Sequence, residues 1–333
     1  MIFLLFFLSF AVPIWLVVRW FIELIPEGGI NSKAVFITGC DSGFGRELAV
    51  RCVKNGFLVF AGCFTDEGAT SLEKEVHGFG ELKTLKLDVT KEKDVKSAVS
   101  FVEKNLGDRK LWAIVNNAGI FTVYGPDDWT NIDDYKQAME VNTFGVIRVV
   151  QAFKHLLKSS KGRIITVSSI NGRLATPYSG PYVASKFAIE GYLDSLRQEY
   201  KPFGVRVNIL EPGIFLTPLF NEKSMIERVD KVWSRLDKPI KEEYGEKFKN
   251  FFGTFFIRKY KKLGTDRTYY VVDNYYHAIT AKFPRNRYYC GWDALLVFVP
   301  LSLLPSWFSD WVLGLEVYEQ TEYPACLSKK KLV

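Results

Sequence analysis

A doubly wound α/β fold, a parallel sheet with helices on both faces, is what three observations predict for this 333-residue chain. Short, glycine-punctuated apolar runs begin near residues 33, 57, 82, 111, 163 and 205, and helical patterns separate them. Strands alternating with helices argue a parallel sheet joined by right-handed crossovers. The first run passes at once into a glycine turn and an amphipathic helix. Hydrophobic residues make up 48% of the chain, enough to bury a full core and still carry appendages. No internal repeat interrupts the pattern. The expected organisation is an apolar N-terminal segment over 1–25, one domain over 30–290 with a variable lid at about 214–270, and an apolar extension with a basic tail over 291–333.

The N-terminal segment runs from Met1 to Val18 without a charged side chain, followed by Arg19 and Trp20. A membrane-spanning helix needs roughly 20 apolar residues, and the segment reaches that length if Arg19 snorkels and the helix continues through Trp20, Phe21 and Ile22. Trp15 and Trp20 suit a membrane interface. A cleaved signal peptide would show a basic n-region and a small-residue cleavage site, and neither is present. An uncleaved membrane anchor is the expectation.

Next comes Lys33 to Thr38 (KAVFIT), a short buried strand, then Gly39-Cys40-Asp41-Ser42-Gly43-Phe44-Gly45 and the periodic run Leu48, Ala49, Cys52, Val53. In a strand, glycine turn and helix of this kind, Gly39 allows the tight turn, Gly43 lets backbone approach a pyrophosphate, and Gly45 permits close packing, with phosphates at the helix N-terminus. The spacing is G-x3-G-x-G rather than G-x-G-x-x-G. Further along, Tyr182 and Lys186 lie one helical turn apart, and Ser169 stands thirteen positions before the tyrosine. A tyrosine hydroxyl has a pKa of about 10 and is a poor base unless a positive charge stabilises the phenolate. Residues i and i+4 share a helix face, so Lys186 is placed to supply that charge. Ser169 can hydrogen-bond a substrate oxygen, and the three together can move a proton to or from it while a hydride moves elsewhere.

The ordered motifs Thr38 to Gly45, Asn116-Asn117-Ala118-Gly119, Ser169, and Tyr182 with Lys186 resemble those of the short-chain dehydrogenase/reductase family, over about Ser32 to Phe220. The resemblance implies a Rossmann-like fold and a nicotinamide cofactor. It implies Tyr182 as general acid/base, Ser169 orienting the substrate oxygen, and Lys186 lowering the tyrosine pKa and holding the nicotinamide ribose. Asn142 matches the family's fourth catalytic residue, supporting a water relay behind the lysine; read alone, it is an amide satisfying neighbouring backbone. Cofactor contacts implied are Thr38, Gly39, Asp41, Ser42, Gly43, Phe44 and Gly45 at the turn. Asp88 and Val89 fall at the adenine, Asn116, Ala118 and Gly119 between the halves, and Pro212, Gly213 and Thr217 over the nicotinamide, beside Tyr182 and Lys186. Ser168 to Arg173 and Glu211-Pro212-Gly213 are similar to the membrane-bound retinol and hydroxysteroid dehydrogenase branch, which acts on hydrophobic secondary alcohols and allylic primary ones.

Charge near the adenosine ribose separates the two dinucleotides. The family's usual acidic position falls at Gly62, so the acid is missing. Ser42 and Cys63 stand where phosphate-binding relatives carry a base, while Asp41 and Asp66 lie close in sequence. A 2′-phosphate without a cation would be poorly compensated, so NAD is expected, with NADP left open.

Residues 221–270 mix lysine and arginine with acids and the aromatics Phe248, Phe251, Phe252, Phe255, Phe256 and Tyr260, a pattern that serves equally an apolar lid or a packing face. Ala294 to Ser309 is apolar but broken by Pro300 and Pro305, short for a span and suited to an interfacial, re-entrant or core-packed hairpin. The net charge of +7 is spread without a nucleic-acid module and suits an anionic membrane surface. Five cysteines without paired spacing fit a reducing compartment, and no metal site is implied. Lys330 and Lys331 in the tail resemble the dilysine signal of endoplasmic reticulum membrane proteins, and Arg19 and Lys33 behind the anchor put the domain in the cytosol. The expected partners are a lipophilic small-molecule substrate and the membrane, with a homodimer left open and nucleic acid excluded. NAD-dependent oxidation of a retinoid or hydroxysteroid leads. A small hydroxy acid such as 3-hydroxybutyrate as substrate, or a silent lipid-binding protein of the same fold, stand as alternatives.

Overall fold

The computed structural model describes residues 2–318 and 322–328. Seven parallel strands form one sheet in the order β3-β2-β1-β4-β5-β6-β7: β1 Lys33–Thr38, β2 Leu58–Cys63, β3 Leu82–Lys86, β4 Lys110–Asn116, β5 Arg163–Val167, β6 Arg206–Pro212 and β7 Arg287–Cys290. The first six match the expected apolar runs. The seventh extends the far edge and pairs with β6 from Ile209↔Arg287 to Pro212↔Cys290.

Central strands such as β1 are apolar on both faces because both are covered, as parallel sheets require. Helix α1 (Ile2–Glu23) precedes the sheet. On one face α2 (Gly43–Lys54) and α3 (Asp66–Val76) pack Leu48, Cys52 and Leu72 against Val35, Ile37 and Val59, and α11 (Tyr269–Thr280) adds Val271 and Tyr275. On the other, α4 (Glu92–Asn105), α6 (Val146–Ser160) and α7 (Gly180–Tyr200) bring Val95, Val149, Phe153 and Ile189 onto Phe36, Phe60 and Ile114. Between α5 (Ile132–Met139) and α6, residues Glu140–Gly145 form a π-helical turn. Capping defines several starts: Thr65 accepts from Gly68 N at 3.0 Å, and Asn131 and Asn221 form reciprocal boxes with Asp134 and Ser224.

The lid, α8 (Glu222–Ser234), α9 (Lys238–Tyr244) and α10 (Glu246–Leu263), builds a third core in which Phe248, Phe252 and Trp233 surround Trp129. The segment therefore packs as a core, and Tyr260 of α10 also lines a pocket. After β7 come a π-helical turn Ala294–Phe298, α12 (Val299–Leu301), α13 (Ser306–Tyr318) and α14 (Ala325–Ser328). Lys330 and Lys331 lie outside the described residues.

Where a membrane anchor was expected, α1 forms as a 22-residue helix, and among the described residues no helix is long and apolar enough to cross a membrane. Its end is tied to the domain. Glu23 is buried between Arg19 at 2.7 Å and Arg285 at 2.6 Å, His277 Nε2 lies 2.9 Å from the Glu23 carbonyl, and Pro26 bridges Ala281.

Candidate active site

Strand order reverses between β1 and β4, and in open α/β sheets ligands bind beyond the carboxyl ends of the strands at such a switch point. A cleft of about 810 Å³ opens there, lined by Gly39, Asp41, Ser42, Gly43, Phe44, Asp88, Val89, Ala118, Gly119 and Thr217 among others. A second pocket adjoins it, lined by Ser169, Tyr182, Lys186, Pro212, Gly213 and the aromatic rings of Phe121, Tyr124, Phe220, Tyr260 and Phe298. Phe44, Asn117, Gly119, Ile120, Thr217 and Leu219 line both.

The glycine turn has local causes. Gly39 sits at φ +72°, and a Cβ there would stand 2.8 Å from Ala118 Cα, so only glycine lets the turn after β1 touch the turn after β4. A Cβ on Gly45 would overlap the Asn117 amide and the Gly39 carbonyl oxygen; the close approach is turn to turn. Thr38 joins the two turns, its Oγ1 accepting from Asn117 N at 3.1 Å and Ala118 N at 3.0 Å. Thr38 and Gly45 shape the cleft without lining it. Asp41 accepts from Phe64 N and Thr65 N, both at 2.8 Å, fixing the loop after β2. Asp88 accepts from Thr90 N at 2.9 Å.

Asn116 lines neither the cleft nor the adjoining pocket. It is buried, and its Nδ2 donates to Thr166 Oγ1 at 3.1 Å, so its side chain turns into the sheet while its neighbour Asn117 lines the cleft. Side-chain alternation along a strand flips successive residues. Asn117 Nδ2 donates to the carbonyls of Thr38 and Gly39.

On the substrate side, Ser169 caps the short turn Ile170–Gly172 and accepts from Asn171 N at 3.2 Å. Tyr182 lies in the first turn of α7, its ring 4.8 Å from Phe121. Burial pushes its phenol up to about 12, and the facing Ser169 hydroxyl pulls the other way. Lys186 Nζ lies 5.5 Å from the Tyr182 ring centre and donates to the Val167 carbonyl at 3.1 Å. Burial brings the lysine down to about 8, with Glu190 one turn along α7 opposing. In the protein alone, then, desolvation governs the tyrosine more than the lysine charge does.

Asn142 is buried in the π-helical turn. Its Oδ1 accepts from Ile120 N at 2.8 Å, and its Nδ2 donates to Ile120 O at 2.9 Å and Ser185 Oγ at 3.0 Å. The side chain thus pins the Gly119–Ile120 turn to α7. Such widened turns collect at functional sites.

Sequence reasoning missed two supports. Asp293 Oδ2 accepts from Ile214 N at 2.7 Å and packs on Gly213, holding the loop after β6. Arg287 of β7 donates to Glu190, Glu211 and Asp194, while Arg173 also donates to Glu211. Glu211 is fully buried and Glu190 nearly so. Burial, then the neighbouring Glu211, raises the Glu190 carboxyl above its usual range. All five cysteines are free.

Comparison with known proteins agrees with this geometry. Residues 33–227 match the family model described as short chain dehydrogenase. The chain is 47% identical to a 3beta-hydroxysteroid dehydrogenase, dhs-16, of Caenorhabditis elegans, over 85% of this chain and 75% of that protein. It is 38% identical to retinol dehydrogenase 16 of Mus musculus, over 92% and 96%. Among solved structures, NAD+-bound xylitol dehydrogenase superposes with a TM-score of 0.57 at 26% identity, over 62% of this chain and 80% of that one. The chain belongs to the short-chain dehydrogenase family, in its retinol and hydroxysteroid dehydrogenase branch, and is an oxidoreductase.

Proposed function

We propose that the protein catalyses the reversible, NAD-dependent oxidation of a lipophilic alcohol of the hydroxysteroid or retinoid class, with Tyr182 as general acid/base. The observation that carries this is the meeting, beside Tyr182, of a dinucleotide-sized cleft and an aromatic pocket. Similarity to a hydroxysteroid dehydrogenase and a retinol dehydrogenase supports the substrate class.

The cleft fits a dinucleotide. Gly43, at φ +59°, faces the cleft with nothing nearer its Cβ position than Pro218 Cδ at 4.0 Å, the N-terminus of α2 faces the cleft through Ser42, Gly43 and Phe44, and backbone N–H groups there suit phosphate. Asp88 and Val89 would hold the adenine end, and Pro212, Gly213 and Thr217 the nicotinamide end. A bound nicotinamide supplies or accepts the hydride. Among this chain's residues, Tyr182 takes the alcohol proton in oxidation and returns it to the carbonyl oxygen in reduction. Ser169 donates to that oxygen, and Lys186 steadies the phenolate and reaches the ribose. Asn142 holds the turn behind the lysine, where a water relay would run. NAD is favoured because Ser42 and Cys63 are uncharged and Cys63 is buried, while nearby Arg46 is already paired with Glu75 at 2.7 Å. Comparing kcat/KM for the two cofactors tests this; a large preference for NADP overturns it.

The lysine gives a pH prediction. In reduction, Tyr182 gives up its proton and the growing phenolate needs the Lys186 cation, which is present below a pKa of about 8 and lost above it. The reductive kcat is expected to hold below a pH of about 8 and fall above it, and Lys186→Ala to lower the rate and remove that limb. A pH-rate profile that rises through this range contradicts it.

The ends of the chain support a membrane location. Trp15, Trp20 and Phe21 are exposed on α1, and Leu296, Leu303 and Trp307 on the C-terminal segment, whose Phe298 also lines the pocket. Exposed apolar side chains clustered in sequence at both ends suit an interaction surface, and the reading is attachment to the endoplasmic reticulum membrane with the catalytic domain in the cytosol. Protease added to sealed microsomes should digest that domain; its survival would reverse the orientation. An oxidation screen of retinol, hydroxysteroids, long-chain alcohols and 3-hydroxybutyrate, on full-length protein in detergent, tests the substrate class. Turnover of the hydroxy acid alone would defeat it.

A further inference from the structure

Arg228, on the lid helix α8, is the cation among the residues lining the dinucleotide cleft. Its guanidinium is part-buried and stands 5.8 Å from the centre of the Phe121 ring. It donates to Ser224 Oγ at 3.1 Å and Met225 Sδ at 3.4 Å, both on its own helix. Among the described residues no carboxylate lies within ion-pair distance of it. The acids that line the same cleft are occupied elsewhere. Glu140 accepts from Arg148 at 2.7 Å, Asp41 from Phe64 N and Thr65 N, and Asp88 from Thr90 N. Burial holds the Arg228 pKa below the ordinary arginine value, with Glu227 opposing. A desolvated guanidinium without an anion is costly, and its planar fork matches phosphate oxygens.

Its place along the cleft selects the phosphate. Arg228 stands beside Phe121, whose ring packs on Tyr182, whereas Asp41, Phe64 and Thr65 mark the loop after β2, where a 2′-phosphate would fall. The lid also reaches the glycine turn, since Pro218 Cδ stands 4.0 Å from where a Gly43 Cβ would be.

Resting on the nicotinamide cofactor proposed above, we infer that Arg228 binds the pyrophosphate of the dinucleotide from the lid side, opposite the glycine turn. The substrate lid thereby supplies the positive charge that the turn lacks and closes on a bound cofactor.

The test measures binding of NADH, NADPH and adenosine to the full-length protein in detergent by calorimetry, for wild type, Arg228→Met and Arg228→Lys, with a thermal melt for each. Removing a charge-assisted hydrogen bond at a part-buried site is expected to weaken NADH about tenfold. NADPH should weaken equally, adenosine should be unchanged, and Arg228→Lys should recover part of the affinity. Unchanged NADH binding by a folded Arg228→Met overturns the inference, as does an effect confined to NADPH or an equal effect on adenosine. Wild type that binds neither dinucleotide overturns the cofactor reading itself, and this inference with it.

Discussion

Tyr182→Phe removes turnover, with kcat falling by about 10²–10⁴-fold, the range a positioned general acid/base contributes, while NADH binding stays measurable. The substitution deletes one hydroxyl and keeps the ring that packs on Phe121, so the fold and the aromatic wall of the pocket persist. The remaining Ser169 can donate to the substrate oxygen, but a serine hydroxyl does not replace the phenol as general acid/base. Steady-state rates in both directions, with cofactor titration of the same preparation, check this. Activity within about tenfold of wild type would remove Tyr182 from the mechanism.

Arg287→Met carries the largest expected effect on stability. The arginine compensates Glu211, fully buried, and Glu190, nearly so, and reaches Asp194 at 2.6 Å. Removing one partner of a buried ionic cluster costs about 3–5 kcal/mol, because Glu190 is left buried without a cation, while Glu211 keeps Arg173 and Asp194 keeps Arg197. The sign with pH follows from the Glu190 carboxyl, which burial already raises. At neutral pH the variant must hold the buried Glu190 without its cation and Glu211 with Arg173 alone, whereas acid neutralises them, so the deficit shrinks as pH falls. Denaturant melts of both proteins at two pH values check this; a deficit that grows on acidification contradicts it. Since Glu190 lies one turn from Lys186, the damage also reaches the site.

Much of this was legible in the chain. Five strands announce themselves as largely buried apolar runs, while β3 (LKTLK) at the sheet edge is only half-buried, and the glycine turn, Ser169, Tyr182 and Lys186 have fixed spacing and specific chemistry. The seventh strand did not show, since Arg287-Tyr288-Tyr289-Cys290 is four residues long and holds a charge whose partners lie on β6 and α7. A strand stabilised by long-range ion pairs leaves no local periodicity. Asn116 and Asn117 could be told apart only by the register of β4, where alternation turns the first inward and the second toward the cleft. Asn142 carried two readings, and its side chain is bound to the Ile120 backbone as the structural one requires. Asp293 and Arg228 act through loops and helices remote in sequence, so no spacing marks them. The lid was ambiguous because an amphipathic pattern shows that a face is buried, and not what it covers.

The central claim is that a hydride leaves the carbinol carbon of a lipophilic alcohol for a nicotinamide while Tyr182 takes the proton. Full-length protein in detergent would be given NAD and a hydroxysteroid deuterated at the carbinol carbon, with the ketone and the label in the reduced nicotinamide quantified by mass spectrometry. One deuterium in the nicotinamide is predicted for each ketone formed, and neither product from Tyr182→Phe. Label transfer from 3-hydroxybutyrate with none from any hydroxysteroid or retinol, or undiminished transfer by the phenylalanine variant, would contradict it.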